Sequence, residues 1–188
     1  QHPQYANLAM FDADGISLCN GLGKPPGLDN SDRGYYQEAV ANKTFSVGEF
    51  QIGRSTGLPG INFAYPVFGE RGRIVRVVMV AVLAGSMGDV VHDLNIQESA
   101  SVTIADGEGT ILSTVPVRSE LIGDTGLVMP AIVELRKQKT TIYLNGFSQA
   151  GKRDLVISRE IPLVEGVRSG FVFLSIPEDI AFSEVNRI

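Results

Sequence analysis

The chain has 188 residues, 44% of them hydrophobic, and a formal net charge of -5 at pH 7. That is a globular composition, long enough for one large domain or two small ones, and an acidic balance whose aromatics are not interleaved with Lys and Arg argues against nucleic acid as a partner. Cys19 is the only cysteine, which excludes an intrachain disulfide and a thiolate metal site, while the longest apolar run, Ile74 to Ala84, is broken by Arg76 and falls short of the ~20 residues that span a bilayer.

The opening "QHPQYANL" starts abruptly before a strand-like run and carries no signal peptide, as an excised fragment would, so any targeting or membrane-spanning sequence is expected in its flanks. "LAMFDADGISL" (Leu8 to Leu18) then reads as a hairpin: an apolar strand, Asp12, Asp14 and Gly15 at the turn, and a return to apolar residues. The same acids resemble the start of a calcium loop, but the third acid and the later Glu of that pattern are missing. A tight turn explains them better.

"DNSDRGYYQEAV" (Asp29 to Val40) predicts a helix over Asp32 to Asn42, capped by Ser31 or Asp32, with Tyr36, Ala39 and Val40 toward a core. Arg33 stands one turn before Tyr36 and so shares that face. A guanidinium is almost never buried without a partner and does not shed its charge, so something nearby must be anionic. Two readings follow. Arg33 pairs with an acid such as Glu38 or Glu49 while one tyrosine fills core, or Arg33, Tyr35 and Tyr36 supply a donor fork and aromatic walls to a ligand carboxylate.

"FAYPVFGERGRIVRVVMVAV" reads as a strand ending in Pro66, a Gly-rich turn and a strand. "AGSMG" after it is a variant of the hydrolase nucleophile elbow with Ser86 at its centre, but the two histidines, His2 and His92, do not fit the Ser, Asp, His order of that fold. "SMGDVVHDLNIQES" is expected to join two lobes as a short helix. Beyond it the pattern repeats: "VTIADGEGTIL" places Asp106, Glu108, Gly109 and Leu112 at an offset of 94 from Asp12, Asp14, Gly15 and Leu18. "GLVMPAIVELRKQKT" gives a helix with Val128, Ile132 and Leu135 on one stripe and Pro130 in its first turn, and "ISREIPLVEGVRSGFVFLSI" repeats the strand, proline and turn at Pro162. The closing "PEDIAFSEVNRI" starts a helix behind Pro177.

So long a period indicates a duplicated domain rather than a solenoid. Hairpins and meanders with few helices between strands predict antiparallel sheets and an α+β class, with lobes at residues 1–92 and 93–188. No P-loop, dinucleotide-binding Gly motif or Cys/His metal spacing is present, so no catalytic residue, metal ligand or cofactor is expected. The rival is a soluble α+β enzyme or enzyme subunit using scattered carboxylates.

The succession "YANLAMFDADGISLCN", "SDRGYYQEAV" and "VGEFQIGRSTGLPGINFAYPVFGERGRIVRVVMVAVL" resembles the membrane-distal half of a double Cache (dCache) sensor domain, and the second half resembles its membrane-proximal lobe. The resemblance covers nearly the whole chain; the long N-terminal helix that normally precedes the first strand is not among these residues. It implies two tandem PAS-like lobes, each an antiparallel sheet with flanking helices, in the periplasmic or extracytoplasmic part of an inner-membrane receptor. A small molecule would bind the distal lobe, the receptor would be a homodimer attached to the membrane through flanking segments, and the output module would be a histidine kinase, a diguanylate cyclase or a chemoreceptor signalling domain. Arg33, Tyr35 and Tyr36 match that family's R-x-aromatic-aromatic element for carboxylate and wall contacts, and Gln51, Arg54 and Tyr65 complete the candidate ligand set. Ala81, and a position near Gly53, stand where the family's amino-acid receptors carry acids. An ammonium left there without a carboxylate would cost several kcal/mol, so an α-amino acid is disfavoured. "DTGLVMPAI" in the second half lacks the polar grip, which makes that lobe a spacer and transmitter.

Overall fold

A computed structural model of the chain describes residues 2–88, 99–138, 141–144, 153–164 and 168–182. The chain divides into two compact units, residues 1–86 and 87–188. The expected boundary at 92/93 and the body of the expected joining helix fall in residues 89–98, outside the described residues.

The first unit is a five-stranded sheet with one helix. Its strands are β1 (Tyr5–Phe11), β2 (Ser17–Asn20), β3 (Ser46–Ile52), β4 (Pro59–Phe68) and β5 (Ile74–Leu83), in the order β2-β1-β5-β4-β3 with all neighbours antiparallel. Alternation decides which face is covered: Asn7, Ala9 and Phe11 are buried while Leu8 between them is exposed. The helix Gly34–Asn42 lies on that covered face, and Tyr35, Tyr36 and Ala39 enter a core with Ala9, Phe11, Ala64, Val77 and Met79. Gly48 on β3 lets the helix come close, since a Cβ there would lie 3.0 Å from Tyr35 Cβ.

The second unit repeats the plan. Strands β6 (Ser101–Ala105), β7 (Ile111–Val115), β8 (Thr141–Leu144), β9 (Asp154–Val164) and β10 (Arg168–Pro177) form a sheet in the order β7-β6-β10-β9-β8, also antiparallel. Its helix, Met129–Gln138, buries the anticipated stripe of Val128, Ile132 and Leu135 against Val156, Phe171 and Phe173, with Pro130 in the first turn. The duplication extends to the hairpin turns. Asp12 Oδ1 accepts from the backbone N–H groups of Asp14 (3.0 Å) and Ile16 (2.9 Å), and Asp106 Oδ1 accepts from those of Glu108 (3.0 Å) and Thr110 (2.8 Å). Gly15 and Gly109 sit at φ 89° and 84°, the left-handed region this turn requires.

Local expectations shift in three places. The first helix begins at Gly34 with Arg33 in extended geometry as its cap, and neither Ser31 nor Asp32 makes a capping bond, because the Asp32 carboxylate is taken by Arg54. β4 and β9 run two residues past Pro66 and Pro162 instead of ending there. Each proline is tolerated because it lies beyond the neighbouring strand: β3 pairs β4 only as far as Ala64 and β8 pairs β9 only as far as Ser158, so no ladder bond is lost on that side. The closing helix forms at Glu178–Ala181 behind Pro177, and residues 183–188 lie outside the described residues.

Candidate functional site

Under the first helix the covered face of the sheet leaves a polar cavity of about 30 Å³. Its floor is a row across three strands: Asn7 on β1 and Asn62 on β4 both stand opposite Ala81 of β5, with Met79 two residues along β5. Asn30, Arg33 and Tyr35 form the helix-side wall. Gln51 near the end of β3 and Gly53, Arg54, Ser55 and Thr56 of the β3–β4 connection complete the lining.

Each wall group has a defined attachment. Arg33, at the head of the helix, donates from Nη1 to Gln51 Oε1 at 2.7 Å, which uses one of its five donors. The Tyr35 hydroxyl donates to Asn30 Oδ1 at 3.4 Å, and burial of the ring pushes its pKa up to about 12, against smaller opposing effects of the Arg33 charge and the Asn62 amide. Arg54 grips the Asp32 carboxylate with both ends of its fork, Nη1 to Oδ1 at 2.7 Å and Nη2 to Oδ2 at 2.5 Å, and Nη1 also reaches the Asp29 carbonyl at 2.7 Å. The Arg54 hydrogen bond is the main reason the Asp32 carboxyl stays below the usual range. Lys24 Nζ adds a 2.5 Å bond to the Ser55 carbonyl. The turn Gly53–Leu58 is therefore strapped down over the cavity.

Of the six residues anticipated as ligand contacts, the fold brings Arg33, Tyr35, Gln51 and Arg54 to this one cavity. Arg33 meets the amide of Gln51, a partner neither reading of the sequence named. Tyr36 is placed elsewhere: its hydroxyl donates to the Ala13 carbonyl at 2.6 Å and its ring meets Phe11 edge-on at 6.2 Å. Tyr65 lies on the outer face of β4, half exposed. Ala81 and Gly53, where acids were expected to be lacking, both line the cavity. Asn7, Asn30 and Asn62 escaped the sequence reading. Their signal was parity, since Asn7 in "YANLAMF" shares the phase of Ala9 and Phe11 and therefore faces the core.

The other motifs are absorbed by local structure. Ser86, on the short 3₁₀ turn Ala84–Gly88, donates its hydroxyl to the Leu83 carbonyl at 2.7 Å, and His92 lies outside the described residues. Asp12 is occupied by backbone N–H groups as a turn former, which accounts for the acidic stretch without a cation.

No protein-family model and no curated protein matches the sequence. Solved structures do match its fold. The extracellular domain of rpHK1S-Z16, a protein assigned to the histidine kinases, superposes with a TM-score of 0.76 at 22% identity, over 96% of this chain and 74% of that one. The ligand-binding domain of the Pseudomonas fluorescens chemoreceptor CtaA, in complex with L-isoleucine, gives 0.66 at 21% identity over 97% and 73%. The ligand-binding domain of the Pseudomonas aeruginosa PAO1 amino-acid chemoreceptor PctB, in complex with L-Gln, gives 0.68 at 14% identity over 98% and 75%.

Proposed function

We propose, from the tandem PAS-like double Cache fold this chain shares with those sensor domains, that it is the extracytoplasmic ligand-sensing part of a transmembrane receptor, binding a small carboxylate-bearing molecule in its first lobe. In this reading residues 1–92 are the membrane-distal, ligand-binding lobe and residues 93–188 the membrane-proximal transmitter. A homodimeric receptor with a histidine kinase, diguanylate cyclase or chemoreceptor output module completes it.

The observation that carries the reading is the convergence of Arg33, Gln51, Tyr35 and Arg54 on one cavity beside the apolar core of the first lobe. A planar guanidinium suits a carboxylate bidentately, and Gln51, already on Arg33, can turn with it toward a bound anion. Tyr35 gives the body of the ligand an aromatic wall. Tyr36 acts one step away, fixing the Ala13 turn and packing on Phe11 so that the helix carrying Arg33 holds its place.

The cavity has room for about two water molecules, so an organic acid is fully seated in it only when the strapped turn lifts. That supplies the bistable element a sensor needs: a ligand that fits only the lifted arrangement binds the two states with different affinity and shifts their populations.

A thermal-shift screen of short mono- and dicarboxylates is the first test, since a ligand at ~100 times its dissociation constant adds ~2.7 kcal/mol. Calorimetry on the hit then compares variants. Arg33→Ala is expected to weaken binding about 10- to 150-fold, the loss of one charged donor at ~1.5 to 3 kcal/mol, with Arg33→Lys in between because it keeps charge without the fork. Unchanged affinity in Arg33→Ala would reduce Arg33 to a tether for Gln51 and overturn the reading.

A further inference from the structure

The floor of the cavity says more about the ligand than its wall does. Asn7 and Asn62 stand on strands either side of β5, each opposite Ala81, so two carboxamides flank one small methyl group. Adjacent strands are about 4.8 Å apart, which places the two amide-bearing positions roughly 10 Å from each other with the Ala81 gap between them. Both side chains are more than nine-tenths buried. On one side the Asn62 amide shares the lining with Tyr35, whose hydroxyl donates to Asn30, so that side is polar and neutral. On the other side Asn7 Oδ1, which lies toward Gly21 at the end of β2, is buried with no hydrogen-bond partner among the described residues.

A buried acceptor without a donor costs about 1 to 3 kcal/mol, and native folds rarely keep one without a use. The lining contains two guanidiniums, three asparagines and a glutamine, and no aspartate or glutamate. The charge of Arg54 is already met by Asp32, so an ammonium would meet the Arg33 charge and no free carboxylate. A hydroxyl or an amide N–H meets carboxamides that accept from it and donate to it, at no desolvated-charge penalty.

Resting on the proposed carboxylate site, we infer that the ligand carries, beside the carboxylate held at Arg33, an uncharged donor group, a hydroxyl or a carboxamide, that is read by the Asn7 and Asn62 pair across Ala81. The site is a receptor for hydroxy or carboxamide acids, and it rejects the amino acid of the same carbon skeleton by lacking an anion at the floor.

Matched skeletons test this on the chain as it stands. Calorimetry with succinate, L-malate, succinamate and L-aspartate, and with propionate, L-lactate and L-alanine, is expected to rank the hydroxyl or amide member about tenfold tighter than the unsubstituted acid, and the amino acid weakest. Asn7→Leu, close in shape but without the acceptor, should erase the hydroxyl preference, so that within this variant L-malate binds no tighter than succinate and L-lactate no tighter than propionate. Asn62→Asp should move the preference toward the ammonium-bearing member. Arg33→Ala should weaken every member alike, so the wall and the floor are read separately. If the acids bind but the hydroxyl and amide members show no advantage in the parent, or the amino acid is favoured, the inference falls while the carboxylate site stands. If no carboxylate of either series binds, both fall.

Discussion

The two lobes have the same strand order, the same aspartate-gripped turn and a helix over the same face, yet they fill the space under that helix in opposite ways. At the helix head the first lobe has Arg33 and the second has Val128, fully buried. Across the sheet the first lobe has the row Asn7, Ala81, Asn62, and the second has Ser101, Ser175, Val156 in the same pairing positions. Ser175 donates to Asp154 Oδ2 at 2.8 Å, and Ile132, Leu135, Phe171 and Phe173 close the rest. The frame thus survives the exchange of largely apolar for polar residues at the described positions under the helix, because strand pairing and turn chemistry hold it independently of what lies there. The two lobes differ at a handful of inward positions.

The contrast can be broken most forcefully from the apolar side. Ile132→Ala removes a fully buried side chain from the second core and is expected to cost about 2 to 5 kcal/mol in denaturant unfolding, with its effect localised by hydrogen exchange to the second lobe. Next is the ionisation of Tyr35. Its pKa is raised from 10.0 to about 12 in the fold, so between those values the unfolded chain has lost its proton and the native one has kept it, and stability falls as pH rises. Two units correspond to about 2.7 kcal/mol, and Tyr35→Phe should remove this part of the alkaline decline when the two unfolding curves are compared.

The shared turns sharpen the comparison. Asp106→Ala strips two backbone N–H groups of their acceptor at a buried site and should cost about 1 to 3 kcal/mol, with Asp12→Ala nearer the low end because Asp12 is more exposed. A reversal of that order would show that the turns are equivalent in geometry only. The smallest effect belongs to the strap. Asp32→Asn should leave stability nearly unchanged and speed amide exchange across residues 53–58. Since Arg54 holds the Asp32 carboxyl below 3.8, the parent should match that behaviour only as pH falls through the lowered value.

The duplication, the antiparallel α+β architecture and the second helix were legible because each rests on local chemistry: acid and glycine at turns, period-two strands, the stripe of Val128, Ile132 and Leu135. The site was legible in part. Arg33 stood out as a cation on an inward face, but its partner Gln51 is 18 residues away and meets it only through strand pairing. Tyr36 was grouped with Tyr35 by adjacency, whereas consecutive helical residues point about 100° apart, and the two hydroxyls go to Asn30 and Ala13. The asparagine floor depends on the register of three strands that no single segment encodes.

The clasp over the cavity and the surface beneath it obey different electrostatics. The Arg54 and Asp32 pair is exposed, so mobile ions compete for it and its hold weakens as ionic strength climbs, while the carboxamide floor is neutral and buried, where such ions do not act. In the proposed site, access and selectivity would in this way be uncoupled: raised ionic strength should loosen the clasp and leave the carboxamide floor unchanged.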